Sequence, residues 1–508
     1  MEQARRRRPW ETTGVADRST ATKPVWQAAS LTILLLAPQA ALAGETSLFE
    51  VVRRYADAMI EKGRDTYGPQ QTGLFLSALD RSTMAPLTTR PAASVGIREG
   101  DRAGPRNGPL IGANPQHDQD LLRVLYALSS MTGDARYRQA ADQEIQWFFQ
   151  HARSPATDLL PWGEHLSWNV MADEPASGML TAIHEFAGPW LLWDRSYALA
   201  PDDCYKFALG VWNHQIADPS DGSFDRHARF REHGIQKGME FARHGGFFIR
   251  TWAEAYAHTG DETFTRAIEK VLGLFEKRRH RDTGLIDQCC RRRFAVMSQT
   301  LSMAIDCEAA SGLVPAPLAD RLRRFAARED EVFCSLPHDP KGKGFLNRLD
   351  RATRQPFAPR GETAFTPPWE THYGGIPTAT IAGMCATRYQ PTRKPHYLQL
   401  LLDAAEGYLT SLPDPSVDVR PGAFAQVIAT ELAAFRWTGR AEFLKRAEEL
   451  ARLSVETFWL DGPLPRASLK TQHYETITGA GSLALVLLQV HAAAHPASAS
   501  LPAELTGR

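Results

Sequence analysis

The chain has 508 residues and an apolar fraction of 43%, which is enough for a large core in one large domain or in two to three ordinary ones. Basic and acidic residues balance at 58 each, so net charge gives no reason to expect a nucleic-acid partner, and we expect none. A local basic cleft remains possible, because a net figure cannot reveal a patch.

The N-terminal segment, residues 1–43, is predicted to be a signal peptide. Four arginines stand near its start, and an uncharged apolar run at 28–43 ends in Ala41-Leu42-Ala43, the small-residue pattern of a cleavage site. A membrane anchor is the alternative, but Pro38 and Gln39 interrupt a run that is short for a span of about 20 residues. We therefore expect export to the periplasm or the exterior, and no stable membrane span in the mature chain.

The six cysteines show no C-x-x-C pair, which argues against a structural zinc site. Export would permit disulfides, but the sequence does not assign any pairing. Buried thiols are the simpler interpretation for most of them.

A loose repeat is the most informative pattern. Residues 121–149, 248–276 and 427–459 each read as a helix, a Thr-Gly turn and a second helix, with apolar residues at i, i+3, i+4 and i+7 on both sides of the turn. The glycine suits a left-handed helix end, and Asp134 or Asp261 then stands near the start of the next helix. Weaker copies occur at 299–329 and 378–409.

Serial helical hairpins must bury their apolar faces against neighbouring hairpins, either in an open solenoid or in a closed ring. Irregular spacing and long loops between the copies favour closure. We predict an all-α fold, an α/α toroid (barrel) of about six to seven helical pairs, over a catalytic domain at residues 44–495. A disordered tail is expected at 496–508. The loops at 86–116 and 335–375 are expected to line one mouth of the ring.

Three separated side chains form a candidate metal site. His165, Glu185 and His227 would supply two imidazoles and one carboxylate, a donor set that suits a catalytic divalent ion of the first transition row. Three protein ligands leave positions open for substrate or water. Taken singly, each residue has an ordinary explanation, such as a surface histidine or a solvated helical glutamate.

Five segments of the sequence carry a resemblance to a known family: WGEH at 162–165, HE at 184–185, RH at 226–227, RHGGFFIRTWAEAYAHTGDETFTRAIE at 243–269 and RRHRDTGLIDQ at 278–288. In these segments the chain resembles the pectate lyases of polysaccharide lyase family two, the exopolygalacturonate lyase group. The likeness covers residues 110–310 well and the rest loosely. It implies an α/α toroid, a metal site at His165, Glu185 and His227, Arg226 as catalytic base, and metal-assisted β-elimination on polygalacturonate.

The implied chemistry explains why these groups are needed. β-Elimination removes the C5 proton of a uronate and expels the C4 oxygen, and a divalent ion on the adjacent carboxylate stabilises the enolate-like state. Arg226 as base is the difficult step, because a free guanidinium has a pKa above about 12. Desolvation beside a cation would favour the neutral form. A charged Arg226 that clamps a carboxylate bidentately is the alternative.

Further residues are assigned provisional roles. We expect manganese as the cofactor, with nickel, cobalt or zinc as alternatives, and an acidic polysaccharide or oligosaccharide as the partner of a monomeric protein. Glu164 or Asp225 is a candidate to orient the ligand imidazoles. The expected substrate contacts are Arg243, His244 and Tyr256, together with an aromatic platform formed by Trp369, His372 and Tyr373. For each of these contacts, ordinary packing is the alternative.

The sequence departs from the family pattern at one place, and two alternative functions are also compatible with it. The family pattern has a lysine soon after the HE glutamate, whereas this chain has Phe186 and Ala187, which leaves one sugar contact and the identity of the uronate open. A glycoside hydrolase or sugar epimerase on the same toroid is an alternative, and a hydrolase would need two facing carboxylates. A non-catalytic carbohydrate-binding protein is the other alternative. The available carboxylates are Asp118, Glu164, Asp225 and Glu370, of which Asp118 also suits a helix cap or dipole partner.

Overall fold

Paired helices make up most of the protein, which is described here by a computed structural model. The predicted signal peptide and all of the predicted tail except Pro496 lie outside the described residues. The described residues are 47–91, 112–177, 181–233, 238–289, 292–359, 363–370 and 374–496.

The described residues contain fourteen α-helices, which alternate between strongly buried and amphipathic members. Their bounds are α1 Leu48–Lys62, α2 Pro115–Thr132, α3 Ala135–His151, α4 Trp193–Leu199, α5 Pro201–Gly210, α6 Ala242–Thr259, α7 Glu262–Arg278, α8 Met297–Ser311, α9 Ala316–Cys334, α10 Thr378–Thr392, α11 Pro395–Tyr408, α12 Pro421–Thr438, α13 Ala441–Phe458 and α14 Ala480–Ala494.

The helices close into a ring. The inner helices contact one another in the order α6, α8, α10, α12, α14 and α2, and α4 and α5 pack between α3, the hairpin partner of α2, and α6. An outer layer of helices packs around the inner ones, and each of its members buries one face. These outer helices are α1, α3, α7, α9, α11 and α13. Because α14, the last helix, packs on α2, the ring is closed rather than an open solenoid. The predicted all-α toroid is confirmed.

The Thr-Gly turns end inner helices as the sequence predicts. Gly133, Gly260 and Gly439 have φ values of 75°, 73° and 69°, the left-handed conformation that glycine adopts without strain. Asp134 and Asp261 then begin α3 and α7, where each carboxylate accepts a hydrogen bond from the backbone two residues on. These turns reverse the chain between the inner and the outer layer.

Short strands connect the helices on one side of several hairpins. They form small antiparallel pairs rather than a continuous sheet, and one three-stranded group has the order β2-β3-β4. The strands are β1 Ala78–Leu79, β2 Gly112–Ala113, β3 Leu166–Asn169, β4 Glu174–Ser177, β5 Ile183–His184, β6 Ile216–Asp218, β7 Ser223–Phe224, β8 Ala228–Arg229, β9 Phe294–Val296, β10 Arg348–Asp350 and β11 Tyr474–Glu475.

Two further sequence expectations concern membranes and thiols. Within the described ranges, the helices are all too short or too polar to cross a bilayer. Cys204, Cys307 and Cys385 are buried thiols, and burial raises the pKa of each. Buried thiols are what the sequence favours for most of the cysteines.

Candidate functional site

His165, Glu185 and His227 meet because each stands at the end of a short strand. His165 immediately precedes β3, Glu185 directly follows β5, and His227 directly precedes β8. Strand β5 pairs antiparallel with β8, with His184 opposite Ala228, so the next residue of each strand along this edge is Glu185 and His227. Strand pairing thus brings together two residues that lie 42 positions apart in the sequence.

Gly163 brings the segment with His165 against Glu185. Its φ is +94°, and a Cβ atom built on it would lie 2.0 Å from the Glu185 carbonyl oxygen. A side chain at this position would therefore force the two backbones apart. The glycine of the WGEH segment is thus required by the close approach of the two chain segments.

The ligand atoms of the three side chains surround a common position that one ion could occupy. His165 Nε2 and His227 Nε2 each lie 3.3 Å from Glu185 Oε2, and all three offered atoms lie within 4.8 Å of one another. Ligand atoms at about 2.0–2.2 Å from a common ion lie roughly 3 Å apart. The spacing therefore fits a single divalent cation.

Within the described part of the chain, two of these atoms have no hydrogen bond that would offset the cost of burying them. Among the described residues, Glu185 Oε2 and His227 Nε2 are buried without a hydrogen-bond partner. Leaving a buried polar atom unpaired costs about 1–3 kcal/mol. A cation bound by both atoms would remove this penalty, so the donor set fits a metal ion.

The second oxygen of Glu185 has two partners. Arg226 NH1 forms an ion pair with Glu185 Oε1 at 2.7 Å, and His244 Nε2 lies 3.2 Å from the same oxygen. Burial raises the pKa of Glu185, but its contacts with His227 and with the two Oε1 partners outweigh burial and hold that pKa well below its usual value. Glu185 is therefore an ionised carboxylate, as a metal ligand must be.

His244 does not face a cleft. Its side chain is fully buried, and burial lowers its pKa to about 3, with the Glu185 carboxylate opposing that shift. The imidazole is therefore neutral. A substrate cannot touch a side chain with no exposed surface, so the predicted substrate contact at His244 is wrong, and the residue supports Glu185 instead.

A cluster of aromatic side chains packs around Phe186, the residue that follows Glu185. Phe186 is fully buried against Trp162, Phe207 and Phe248, with ring centroids 5.6, 5.9 and 5.7 Å away. Because Phe186 directly follows Glu185, this packing fixes the backbone that carries the carboxylate. The position where the sequence departs from the family pattern is therefore part of the core.

A buried glutamine braces the Arg226–His227 segment. Gln215, in a π-helical turn at Val211–Gln215, donates through Nε2 to the carbonyl oxygens of Asp225 and Arg226 at 2.9 and 2.8 Å. The Asp225 carboxylate accepts the backbone N–H of His227 at 2.9 Å and lies 3.6 Å from His227 Nδ1. Asp225 is thus beside the imidazole that it is expected to orient. Nothing in the sequence signals the role of Gln215.

Arg243 lies at the start of α6, one residue before His244. Its guanidinium is partly exposed and its NH2 lies 4.0 Å from Glu164 Oε1, while its Nε is buried without a hydrogen-bond partner among the described residues. Glu164 thus lies beside Arg243. Arg243 thus lies near the ligand set, since Glu164 directly precedes His165 and His244 contacts Glu185.

Two other predicted substrate contacts are placed elsewhere. Tyr256 lies twelve residues after His244 on α6, roughly 18 Å along the helix axis, and packs partly buried against the core. Trp369 is buried against Tyr408 and Phe424, and its Nε1 donates to Ser411 at 2.9 Å. Burial in the core therefore argues against Trp369 as a substrate contact, and the distance along α6 argues against Tyr256 as a contact beside His244.

The remaining predicted platform residues, His372 and Tyr373, lie outside the described residues. Two carboxylates considered for a hydrolase are accounted for by other contacts. Asp118 is fully buried in the first turn of α2, where it accepts a hydrogen bond from Thr476 at 2.7 Å. Glu370 forms an ion pair with Arg420 at 2.8 Å. Neither supplies an exposed acid facing a second carboxylate.

A second group of possible ligands occurs where the C-terminal part of α6 meets α4. Asp194, Glu254 and His258 also offer atoms within 4.8 Å of one another. Glu254 is already paired with Arg250 at 2.7 Å, and the Asp194 side chain is 97% exposed. This group therefore fits a tightly bound ion less well than the first one.

Part of the chain matches one family model and one curated relative. Residues 106–286 match the family model described as periplasmic pectate lyase, which confirms the resemblance read from the sequence. A pectate disaccharide-lyase from Dickeya dadantii (strain 3937) is 22% identical over 171 residues, which are 33% of this chain and 31% of that protein. The chain thus spans about a third of the length of this relative. Residues 106–286, which match the family model, contain His165, Glu185 and His227.

The solved structures that this chain resembles include two carbohydrate enzymes. A GH76 α-mannanase from Bacteroides thetaiotaomicron is 8% identical, with a TM-score of 0.46 over 89% of this chain and 98% of that one. Cellobiose 2-epimerase from Bacillus thermoamylovorans B4167 is 9% identical, with a TM-score of 0.42 over 87% and 98%. At this level of likeness they carry no information on substrate.

Proposed function

We propose that this chain, whose residues 106–286 match the periplasmic pectate lyase family, is a metal-dependent polysaccharide lyase that cleaves a uronic-acid polymer of the polygalacturonate type by β-elimination. Export through the N-terminal segment is part of the same proposal, as is a monomeric state. The observation that carries it is the convergence of His165, Glu185 and His227 on one point, with buried Glu185 Oε2 and His227 Nε2 lacking hydrogen-bond partners among the described residues.

The three side chains would hold the ion, and Mn²⁺ is the form we expect. When bound, a divalent cation neutralises the uronate carboxylate and so makes the C5 proton more acidic. The protein groups supply the rest of the elimination. A base removes the C5 proton, the C4–O bond breaks, a C4–C5 double bond forms, and the departing oxygen takes a proton.

Arg226 is the residue that we propose as the base, on the strength of the family resemblance. It is the nearest basic group outside the ligand set, since its NH1 lies 2.7 Å from Glu185 Oε1. Only a neutral guanidine can take a proton, so this ion pair would have to open before the base could act. The observed ion pair by itself favours the other role, in which a charged Arg226 clamps a uronate carboxylate.

Substrate charge would be met by a second arginine. Arg243 is partly exposed beside the site, and its nearest carboxylate oxygen, on Glu164, is 4.0 Å away. A uronate carboxylate could make shorter and more complete contacts with this guanidinium than Glu164 does. We propose Arg243 as a contact to a neighbouring sugar of the polymer.

Incubation with polygalacturonate tests the function directly. Elimination produces an unsaturated uronyl end that absorbs in the ultraviolet. The metal-free protein, prepared with EDTA, is expected to be inactive, and Mn²⁺ is expected to restore activity. His165→Ala should lose both bound metal and activity, whereas Arg226→Ala should lose activity and keep the metal.

Controls separate the proposed lyase from its alternatives. His258→Ala alters the second group of ligands and should change neither Mn²⁺ affinity nor elimination. Arg226→Lys keeps a positive charge but loses the planar fork, so partial activity with a raised KM would favour the clamp over the base. New reducing ends without ultraviolet absorbance, produced in EDTA, would indicate a hydrolase. Absence of any cleavage with Mn²⁺ present would contradict the proposal for this polymer.

A further inference from the structure

We propose that His244 is a positioning residue that holds the Glu185 carboxylate so that Oε2 faces the metal position, and that it does so independently of Arg226. The inference rests on the proposed function in one respect, namely that Glu185 is a metal ligand. It assigns to His244 a role that depends on burial, which the sequence pattern does not show.

The two oxygens of Glu185 have separate surroundings. Oε1 faces His244 Nε2 at 3.2 Å and Arg226 NH1 at 2.7 Å, while Oε2 faces the Nε2 atoms of His165 and His227 at 3.3 Å each. A carboxylate that could rotate would exchange these oxygens and lose the alignment of the ligand set. Holding Oε1 therefore defines where Oε2 points.

The His244 ring makes one polar contact among the described residues. Its Nδ1 is buried without a partner, so the bond to Glu185 is the only hydrogen bond of the imidazole there. Because the facing atom is a carboxylate oxygen, Nε2 must carry the proton and act as donor. Phe241 and Phe247 flank the ring at centroid distances of 6.0 and 5.4 Å. The aromatic flanks and the helix backbone hold the donor in one orientation.

Arg226 cannot provide this anchor throughout the reaction. As base it would have to release Glu185 Oε1, because only a neutral guanidine can take a proton. As clamp it would divide its N–H groups between Glu185 and the substrate carboxylate. His244 has no exposed surface and no second partner among the described residues, so it has no competing role. The carboxylate thus keeps one donor on Oε1 when Arg226 engages the substrate.

A pair of amide substitutions provides a matched test. In His244→Gln the side-chain amide nitrogen can occupy the position of Nε2 and still donate to Glu185. In His244→Asn the amide is closer to the backbone, at the position of Nδ1, and falls short of Glu185. Both replacements are polar, neutral and smaller than histidine. Their difference therefore reports the hydrogen bond and not the loss of an imidazole.

The measurements are Mn²⁺ dissociation constants by calorimetry and the visible spectrum of the Co²⁺-loaded protein, which reports ligand geometry. Unfolding temperature in EDTA, measured on each variant, shows whether it is folded. We expect His244→Asn to weaken Mn²⁺ binding about 10- to 100-fold and to alter the Co²⁺ spectrum, and His244→Gln to restore most of both. Arg226→Ala should retain Mn²⁺ affinity, because His244 still holds Oε1.

Several outcomes would overturn the assignment. Equal Mn²⁺ affinity in wild type and His244→Asn would do so, and so would equal loss in the Asn and Gln variants at unchanged unfolding temperature. Failure of His244→Asn to fold while His244→Gln folds and binds Mn²⁺ would support it. A wild-type protein that binds no Mn²⁺ would refute both proposals, whereas one that binds Mn²⁺ without elimination would refute only the lyase function.

Discussion

Gly163 shows how a single missing side chain determines the site. At Gly163 the segment that carries His165 packs against the backbone of Glu185. The positive φ of Gly163 and the nearby Glu185 carbonyl oxygen both disfavour any side chain at this position. The nearest atoms to a Cβ at this position all belong to the Glu185 backbone, so the effect falls on the residue that carries the ligand carboxylate. Substitution should therefore affect ligand alignment more than it affects the ring of helices.

Gly163→Ala is expected to weaken Mn²⁺ binding by at least tenfold, because the new Cβ would lie 2.0 Å from the Glu185 carbonyl oxygen and must displace it. The left-handed backbone alone costs about 1–2 kcal/mol with a non-glycine residue. Gly133→Ala is the matched control, since its φ is +75° and its Cβ would meet nothing within 4 Å. Calorimetric titration and chemical denaturation of both variants separate strain from displacement. Equal Mn²⁺ affinity in both would contradict this account.

Sequence patterns predict which residues can act as ligands better than they predict whether a given side chain is buried or exposed. The set of His165, Glu185 and His227 can be proposed from residue types and the family resemblance. Whether His244 or Trp369 faces solvent depends on packing by residues far away in the chain, and neither spacing nor composition records it. Both residues read as substrate contacts in the sequence, and both are buried.

The short strands position the site although they are nearly invisible in the sequence. Strands β5 and β8 have two residues each, too few for an alternating pattern to show, whereas the helical hairpins repeat over about thirty residues and are predicted with ease. The toroid could therefore be predicted, but not the strand pair that sets Glu185 beside His227. The π-helical turn with Gln215 is likewise a local irregularity that propensities do not predict.

Gln215→Ala is expected to loosen the segment that carries Arg226 and His227, because it removes both donors to the carbonyl oxygens of Asp225 and Arg226. Leaving these groups unpaired costs about 1–3 kcal/mol. We expect kcat/KM for elimination to fall about tenfold or more, and Mn²⁺ affinity to fall with it. Asn213→Ala, an exposed change on the same turn, should alter neither. Unchanged kinetics in a folded Gln215→Ala protein would contradict the bracing role.

Ring closure joins the two ends of the described chain. Helix α14 packs on α1 and α2, and hydrogen bonds link Asp118 to Thr476 at 2.7 Å, Asp120 to Ser482 at 2.6 Å and Tyr55 to Tyr474 at 3.0 Å. These contacts span more than 350 residues, so no local sequence window can predict them. Irregular spacing favoured closure in the sequence, but the residues that seal the ring become visible only in the structure.

The ring also buries acids that have no role at the metal site. Glu431, on α12, is fully buried, and both its carboxylate oxygens lack hydrogen-bond partners within the described part of the chain. Burial raises its pKa from 4.5 to about 9, with Arg446 opposing the shift. Between these two values the folded protein binds a proton that the unfolded chain releases. The contribution of Glu431 to the free energy of unfolding is therefore largest below pH 4.5 and is lost as the pH rises towards 9.

Glu431→Gln removes this titration while keeping the shape of the side chain. The slope for one such group is at most about 1.4 kcal/mol per pH unit, so wild type should lose up to a few kcal/mol relative to the variant between pH 5 and pH 8. Urea denaturation of both proteins at the two pH values, in EDTA to exclude metal binding, measures the difference. Glu269→Gln, at an exposed site on α7, should show no such pH-dependent difference. If the stabilities of wild type and Glu431→Gln run parallel between pH 5 and pH 8, the buried carboxyl does not carry a proton in the folded ring.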